Sequence, residues 1–167
     1  MRCIGVDPGI ANTGWSVVER YQAKSFYVVT GGVIRTSHHL SEGQRLHQIY
    51  EDLTSIIKKH SPDLLTVENV YFNNNKTSAL STAGVASVCL LIGELAGIQS
   101  LSISPQQAKS AVTGSGSASK KQVQQGVCRL TGREFKNHHI ADSVAIAAAG
   151  LLRSRSPAVR LPKLRCS

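Results

Sequence analysis

Asp7, Glu68, His139 and Asp142 are the residues of this chain whose types and settings could do chemistry together. Asp7 closes the apolar run Cys3-Ile4-Gly5-Val6, and Glu68 closes Leu64-Leu65-Thr66-Val67. His139 and Asp142 stand three residues apart in an alanine-rich stretch with helical character. A carboxylate at the end of a core segment is costly to desolvate without a partner. Gathered in space, these groups form a cluster of hard oxygen and imidazole ligands, suited to divalent metal ions and phosphodiester chemistry. Taken singly, Asp7-Pro8-Gly9 is also an ordinary tight turn and Glu68 an ordinary paired strand-end acid.

The elements that must position these residues are legible in the pattern. Residues 2–7, 13–18 and 26–35 read as three strands with short gaps, an antiparallel meander. Ser41 with Gln44 forms a capping box, after which Leu46, Ile49, Tyr50, Leu53, Ile56 and Ile57 keep helical spacing until Ser61-Pro62. Residues 63–68 return to a buried strand. Thr77 to Ala96 reads as a second helix whose apolar residues cover more than one face, one side for the sheet and the other for a second helix or a second subunit. A short strand, Gln99 to Ile103, precedes a helix begun by Ser104-Pro105 that carries Lys109. Gly114 to Ala118 reads as a flexible linker, and Ser119 caps a helix with Val123, Val127 and Leu130 on its core face. The last helix runs from about Asn137 to Leu152. At about 100° per residue, His139 and Asp142 project about 60° apart, beside a core face of Ile140, Val144, Ala147, Ala148 and Leu151. Ala141, Ala145 and Ala149 allow close approach to the sheet. His138 competes with His139, because i and i+4 also share a helix face. This order of elements places a mixed sheet between helices, an α/β architecture.

Composition narrows the partners. The chain has 167 residues, enough for one domain with a real core, and 41% hydrophobic residues, too many for disorder. Its 19 Lys and Arg against 10 Asp and Glu give a formal charge of +9, which favours a polyanion such as nucleic acid. Cys3, Cys89, Cys128 and Cys166 form no zinc spacing, and a reducing compartment fits them. Strand-like sequence begins directly after Met1, and the run Val88 to Ile92 is too short to span a bilayer, so the expectation is a soluble cytoplasmic protein. Residues 1–152 are expected to form the folded domain, and residues 153–167, with five cationic residues and two prolines, a disordered basic tail.

Several segments carry a family resemblance. Ile4-Gly5-Val6-Asp7-Pro8-Gly9 followed by Thr13-Gly14-Trp15 resembles the opening of RuvC-type Holliday junction resolvases. Glu68-Asn69-Val70-Tyr71 is similar to their second acidic motif, residues 114–123 to their glycine-serine-lysine segment, and residues 141–147 to their closing acidic helix. The resemblance covers residues 1–152 in the family's order. It implies a ribonuclease H-like fold with a mixed five-stranded sheet, a homodimer, and two Mg²⁺ ions per site, with Mn²⁺ an equivalent. It implies that Asp7, Glu68, His139 and Asp142 are the catalytic and metal-binding set. Family spacing selects His139 over His138, although many members carry Asp at that place. Lys109, Lys120 and Lys121 match a DNA-binding set, the first two beside the scissile phosphate, and Tyr71 matches an aromatic residue that contacts bases at the junction.

The function this resemblance implies is paired, metal-dependent cutting of four-way DNA junctions, leaving 5′-phosphate and 3′-hydroxyl ends, beside a branch-migration helicase complex of the RuvA and RuvB type. Rival readings are another ribonuclease H-like nuclease acting on RNA–DNA hybrids or branched DNA, and a non-catalytic junction-binding protein. The phosphate loop of sugar-kinase-like ATPases also resembles Asp7-Pro8-Gly9, but that fold needs two such domains.

Overall fold

A computed structural model describes residues 1–22, 25–69 and 76–154. Five strands and five helices follow one another as β1 (Arg2–Asp7), β2 (Asn12–Gln22), β3 (Ser25–Arg35), α1 (Glu42–His60), β4 (Leu64–Glu68), α2 (Lys76–Ala96), β5 (Gln99–Ile103), α3 (Pro105–Thr113), α4 (Lys120–Thr131) and α5 (His138–Arg153). The sheet order is β3-β2-β1-β4-β5. The first three strands pair antiparallel, whereas β4 and β5 run parallel to β1. The mixed five-stranded sheet expected from the sequence is therefore present.

Strand alternation decides which side chains meet which helices. On β1, Ile4 and Val6 enter a core with Ile49, Leu53 and Ile57 of α1 and Val85, Cys89 and Ile92 of α2. Cys3 faces the other way, into a core shared with α3, α4 and α5. On β4, Leu65 and Val67 join the first core and Leu64 the second. Asp7 continues the Cys3 parity and Glu68 the Leu64 parity, so both point to the α5 side. Val6 is in register with Val67, which makes Asp7 and Glu68 next-door neighbours where the two strands end.

Helix α5 lies in backbone contact with the sheet. A Cβ added at Gly5 would fall 2.7 Å from the Ala147 nitrogen, and one at Gly14 would fall 2.8 Å from the His139 carbonyl carbon. No other residue type fits at either position without moving the helix. The helix is buried more completely than its expected five-residue face: every residue from Ser143 to Leu151 is buried, while Ile140 is only half-buried. Sandwiching by the sheet, α3 and α4 removes the solvent face that an amphipathic reading assumes.

Other expectations hold or shift for clear reasons. All three serine caps form complete capping boxes, Ser41 with Gln44, Ser104 with Gln107 and Ser119 with Gln122. The β2–β3 ladder runs past residue 18, pairing Glu19 with Tyr27 and Arg20 with Phe26, because hairpin hydrogen bonds carry polar residues that strand propensity discounts. The expected flexible linker is a hydrogen-bonded turn: Gly114 caps α3 at φ 82°, Ser115 bonds Ser117 at 3.0 Å, and Ala118 is buried. Cys3 and Cys89 are fully buried, and burial pushes both thiols up to about 12.

Helix α2 packs one side on α1 and the sheet and leaves Leu80, Leu91 and Leu95 more than half exposed. The stretch Ala79–Ala96, with mean hydropathy 1.7, is long and apolar enough to cross a membrane by length and composition. One side of this stretch, with Val85, Cys89 and Ile92, is core of the domain, and its longest unbroken apolar run remains Val88 to Ile92, between Ser87 and Gly93.

Candidate active site

All four sequence-selected ligands converge at one end of the sheet. Asp7 and Glu68 arrive at adjacent strand ends, and α5 begins directly above them. Asn137 caps that helix, its side-chain oxygen accepting from the His139 backbone N–H at 3.0 Å. His139 and Asp142 thus occupy the first turns of α5. His139 Nδ1 lies 2.8 Å from Asp7 Oδ2, with both side chains about three-quarters shielded from solvent.

Electrostatics bind the remaining members to the same site. Burial pushes the Glu68 carboxyl up to about 7, with the negative charges of Asp7 and Asp142 adding to the effect and Lys109 opposing it. The Asp142 carboxyl is likewise raised, first by burial and then by Asp7, against the pull of Lys120, His138 and His139. Three half-buried carboxyl groups therefore repel one another, and two lysines from α3 and α4 face them. Both carboxyls stay raised despite the lysines, and the oxygen and imidazole donors are of the kind a divalent cation accepts. Among the described residues, no three donors already stand close enough together to grip an ion. His139 is instead engaged by Asp7.

The structure separates the two histidines that helical spacing leaves undecided. The His139 ring turns inward to Asp7, whereas His138 is exposed and stacks on it, the ring centres 4.1 Å apart and tilted by 39°. Of the expected DNA-binding residues, Lys109 and Lys120 face the acids, and Lys121 lies exposed on the first turn of α4. Tyr71 lies outside the described residues, as do positions 155–167 of the expected tail.

Sequence reasoning missed the residues that hold the turn after Asp7. The Thr13 hydroxyl donates to the Gly9 carbonyl at 2.8 Å, and the Thr36 hydroxyl donates to the Ile10 carbonyl. Thr13 is fully buried next to Gly14, a setting that a search for buried polar residues after the acid would have found. Nothing in the pattern around Thr36 marks it, because its partner is 26 positions away in the chain.

Comparison with known proteins places this geometry among relatives. The family model described as crossover junction endodeoxyribonuclease RuvC matches residues 3–150. A protein of that name from Fusobacterium nucleatum is 39% identical over 149 residues, covering 87% of this chain and 77% of its own length. One from Brevibacillus brevis is 40% identical, covering 88% of this chain and 89% of its own. Among solved structures, Thermus thermophilus RuvC in complex with a Holliday junction substrate superposes with a TM-score of 0.85 at 27% identity, over 91% of this chain and 93% of that one.

Proposed function

Because the chain belongs to the RuvC family of crossover junction endodeoxyribonucleases, we propose that it cuts four-way DNA junctions by metal-dependent phosphodiester hydrolysis. The convergence of Asp7, Glu68 and Asp142 with His139, flanked by Lys109 and Lys120, carries this reading. Asp7, Glu68, His139 and Asp142 would hold two Mg²⁺ ions, or Mn²⁺ in their place, and that metal would supply activation of a water and positive charge near the leaving 3′ oxygen.

The protein's own groups do the rest. The three carboxyl groups concentrate negative charge where only a cation relieves it. His139 adds a neutral donor, which keeps the site one charge less negative than an all-carboxylate set and widens its tolerance for softer ions. Lys109 and Lys120, coupled to Glu68 and Asp142, stabilise charge on the phosphorus centre. Lys121 and Tyr71 extend the DNA contact, Lys121 to phosphate and Tyr71 to bases at the crossover. Cutting leaves 5′-phosphate and 3′-hydroxyl ends.

Two opposed strands need two sites, and a homodimer with two-fold symmetry provides them. Leu80, Leu91 and Leu95 form an apolar stripe on the open side of α2, and this is the surface on which a second copy seats. Residues 1–152 act as the nuclease domain, the basic tail from residue 153 adds sequence-independent phosphate attraction, and a branch-migration helicase delivers the junction in the cytoplasm.

A substrate panel tests the proposal. Matched four-way junction, RNA–DNA hybrid and linear duplex are incubated with the protein, with and without Mg²⁺. The junction alone should be cut, and only with the ion. Preferential cutting of the hybrid would instead make this a ribonuclease H-like enzyme of another specificity.

A further inference from the structure

The turn that follows Asp7 is held by an unusual number of donors. Gly9, Ile10 and Ala11 present three consecutive carbonyl oxygens, and each is taken. Thr13 Oγ1 donates to Gly9 at 2.8 Å, Thr36 Oγ1 donates to Ile10, and the Thr36 backbone N–H donates to Ala11 at 3.2 Å. The Thr36 hydroxyl spends its only proton on Ile10, leaving its lone pairs to accept. Arg45 Nε fills that role from α1 at 2.8 Å. A donor that carries charge strengthens the hydroxyl it polarises. The result is a chain from α1 through Thr36 to the turn whose first residue is Asp7.

Charge partners do not account for Arg45. Glu42, one turn earlier on α1, makes no ion pair with it, and Arg45 has none among the described residues. Its side chain is half-buried, and its Nε is directed at the Thr36 hydroxyl. Ordering a long arginine side chain costs entropy, so a persistent contact of this kind needs a structural return. That return is the fixed turn. The Asp7 side chain bonds His139, and its backbone is the last of β1 paired with β2, so the turn that begins there sets where the carboxylate stands.

We propose that Thr36 and Arg45 are positioning residues for Asp7, holding its turn in the geometry that cleavage requires. This rests on the nuclease reading for its effect on rate, but not for its effect on the turn. Neither residue touches the acid cluster, and neither needs to contact DNA. Misplacement of a catalytic group by about 1 Å costs up to about a hundredfold in rate.

The test compares Thr36→Val, Thr36→Ser and Arg45→Met with the unaltered protein. Single-turnover cleavage at saturating junction should fall at least about tenfold in Thr36→Val and Arg45→Met, with junction affinity within about twofold. Thr36→Ser keeps the hydroxyl and should restore the rate. Amide hydrogen exchange of the protein without DNA or metal gives the second readout: exchange over residues 9–12 should speed up several-fold in Thr36→Val and Arg45→Met, while residues 64–68 of β4 stay unchanged. Unaltered exchange and rate in both variants would overturn the proposal, as would a loss of affinity with the saturating rate intact. If the unaltered protein cuts no junction, the nuclease reading fails, and the exchange measurement still decides the brace.

Discussion

His139 Nδ1 stands 2.8 Å from Asp7 Oδ2, joining the first turn of the last helix to the end of the first strand across 132 positions of sequence. This contact makes the site a product of the whole fold, since β1 and α5 meet only because Gly5 and Gly14 let the helix reach the sheet. It also sets His139 apart from its neighbour, whose ring lies outside.

Substitutions at the two histidines should therefore diverge. His139→Ala is expected to remove most cleavage and His139→Asp to retain it, because a carboxylate restores an oxygen ligand suited to Mg²⁺. His138→Ala should change little beyond binding. Single-turnover rates on a four-way junction measure this; a dead His138→Ala beside an active His139→Ala would reverse the assignment.

Gly14→Ala should destabilise the fold rather than only the site. Its Cβ would drive into the His139 carbonyl group, forcing α5 away from β2. Overpacking of this kind costs about 3 kcal/mol. Urea unfolding should show a lower midpoint with an unchanged slope, and a midpoint equal to the unaltered protein would show that the helix yields freely.

Without added metal, the protein should lose stability as pH rises from about 4.5 to about 7. Glu68 has its carboxyl pushed up to about 7 in the fold from an ordinary value of 4.5, so over this interval the folded state holds a proton that the unfolded chain has released. The contribution of Glu68 is thus fully present below 4.5 and is lost as pH climbs through the folded value, by on the order of 2 kcal/mol after allowance for the site's partial exposure. The raised Asp142 carboxyl acts in the same direction. Millimolar Mg²⁺ should raise the melting temperature far more at pH 8 than at pH 5. Equal gains at both would place the ion elsewhere.

The stripe on α2 predicts the oligomeric state. Sedimentation at micromolar concentration should give twice 17.9 kDa, and Leu91→Glu with Leu95→Glu should give the single mass. An unaltered protein that sediments as a monomer would remove both the dimer and its paired cuts.

Most of the candidate site's placement was legible from the chain because strand parity and helix spacing are local rules. Asp7 and Glu68 sit at strand ends, and alternation alone turns both toward one face. The choice between His138 and His139 was not local: it depends on how α5 is rotated on the sheet, which Gly5 and Gly14 decide through contacts with backbone far away in sequence. The turn brace was hidden for the same reason, since Thr36 belongs to a different strand's end from the acid it supports. The length of the β2–β3 ladder escaped because pairing, not residue preference, extends it through Glu19 and Arg20.

The central claim is tested most directly by mapping strand scission on an immobile four-way junction and then adding DNA ligase, with Asp7→Asn as the control. The account predicts two symmetric nicks on opposed strands in Mg²⁺, sealed by ligase, and cutting lower by several orders of magnitude in Asp7→Asn while junction binding persists. Near-normal cleavage by Asp7→Asn, or nicks that ligase cannot seal, would contradict it.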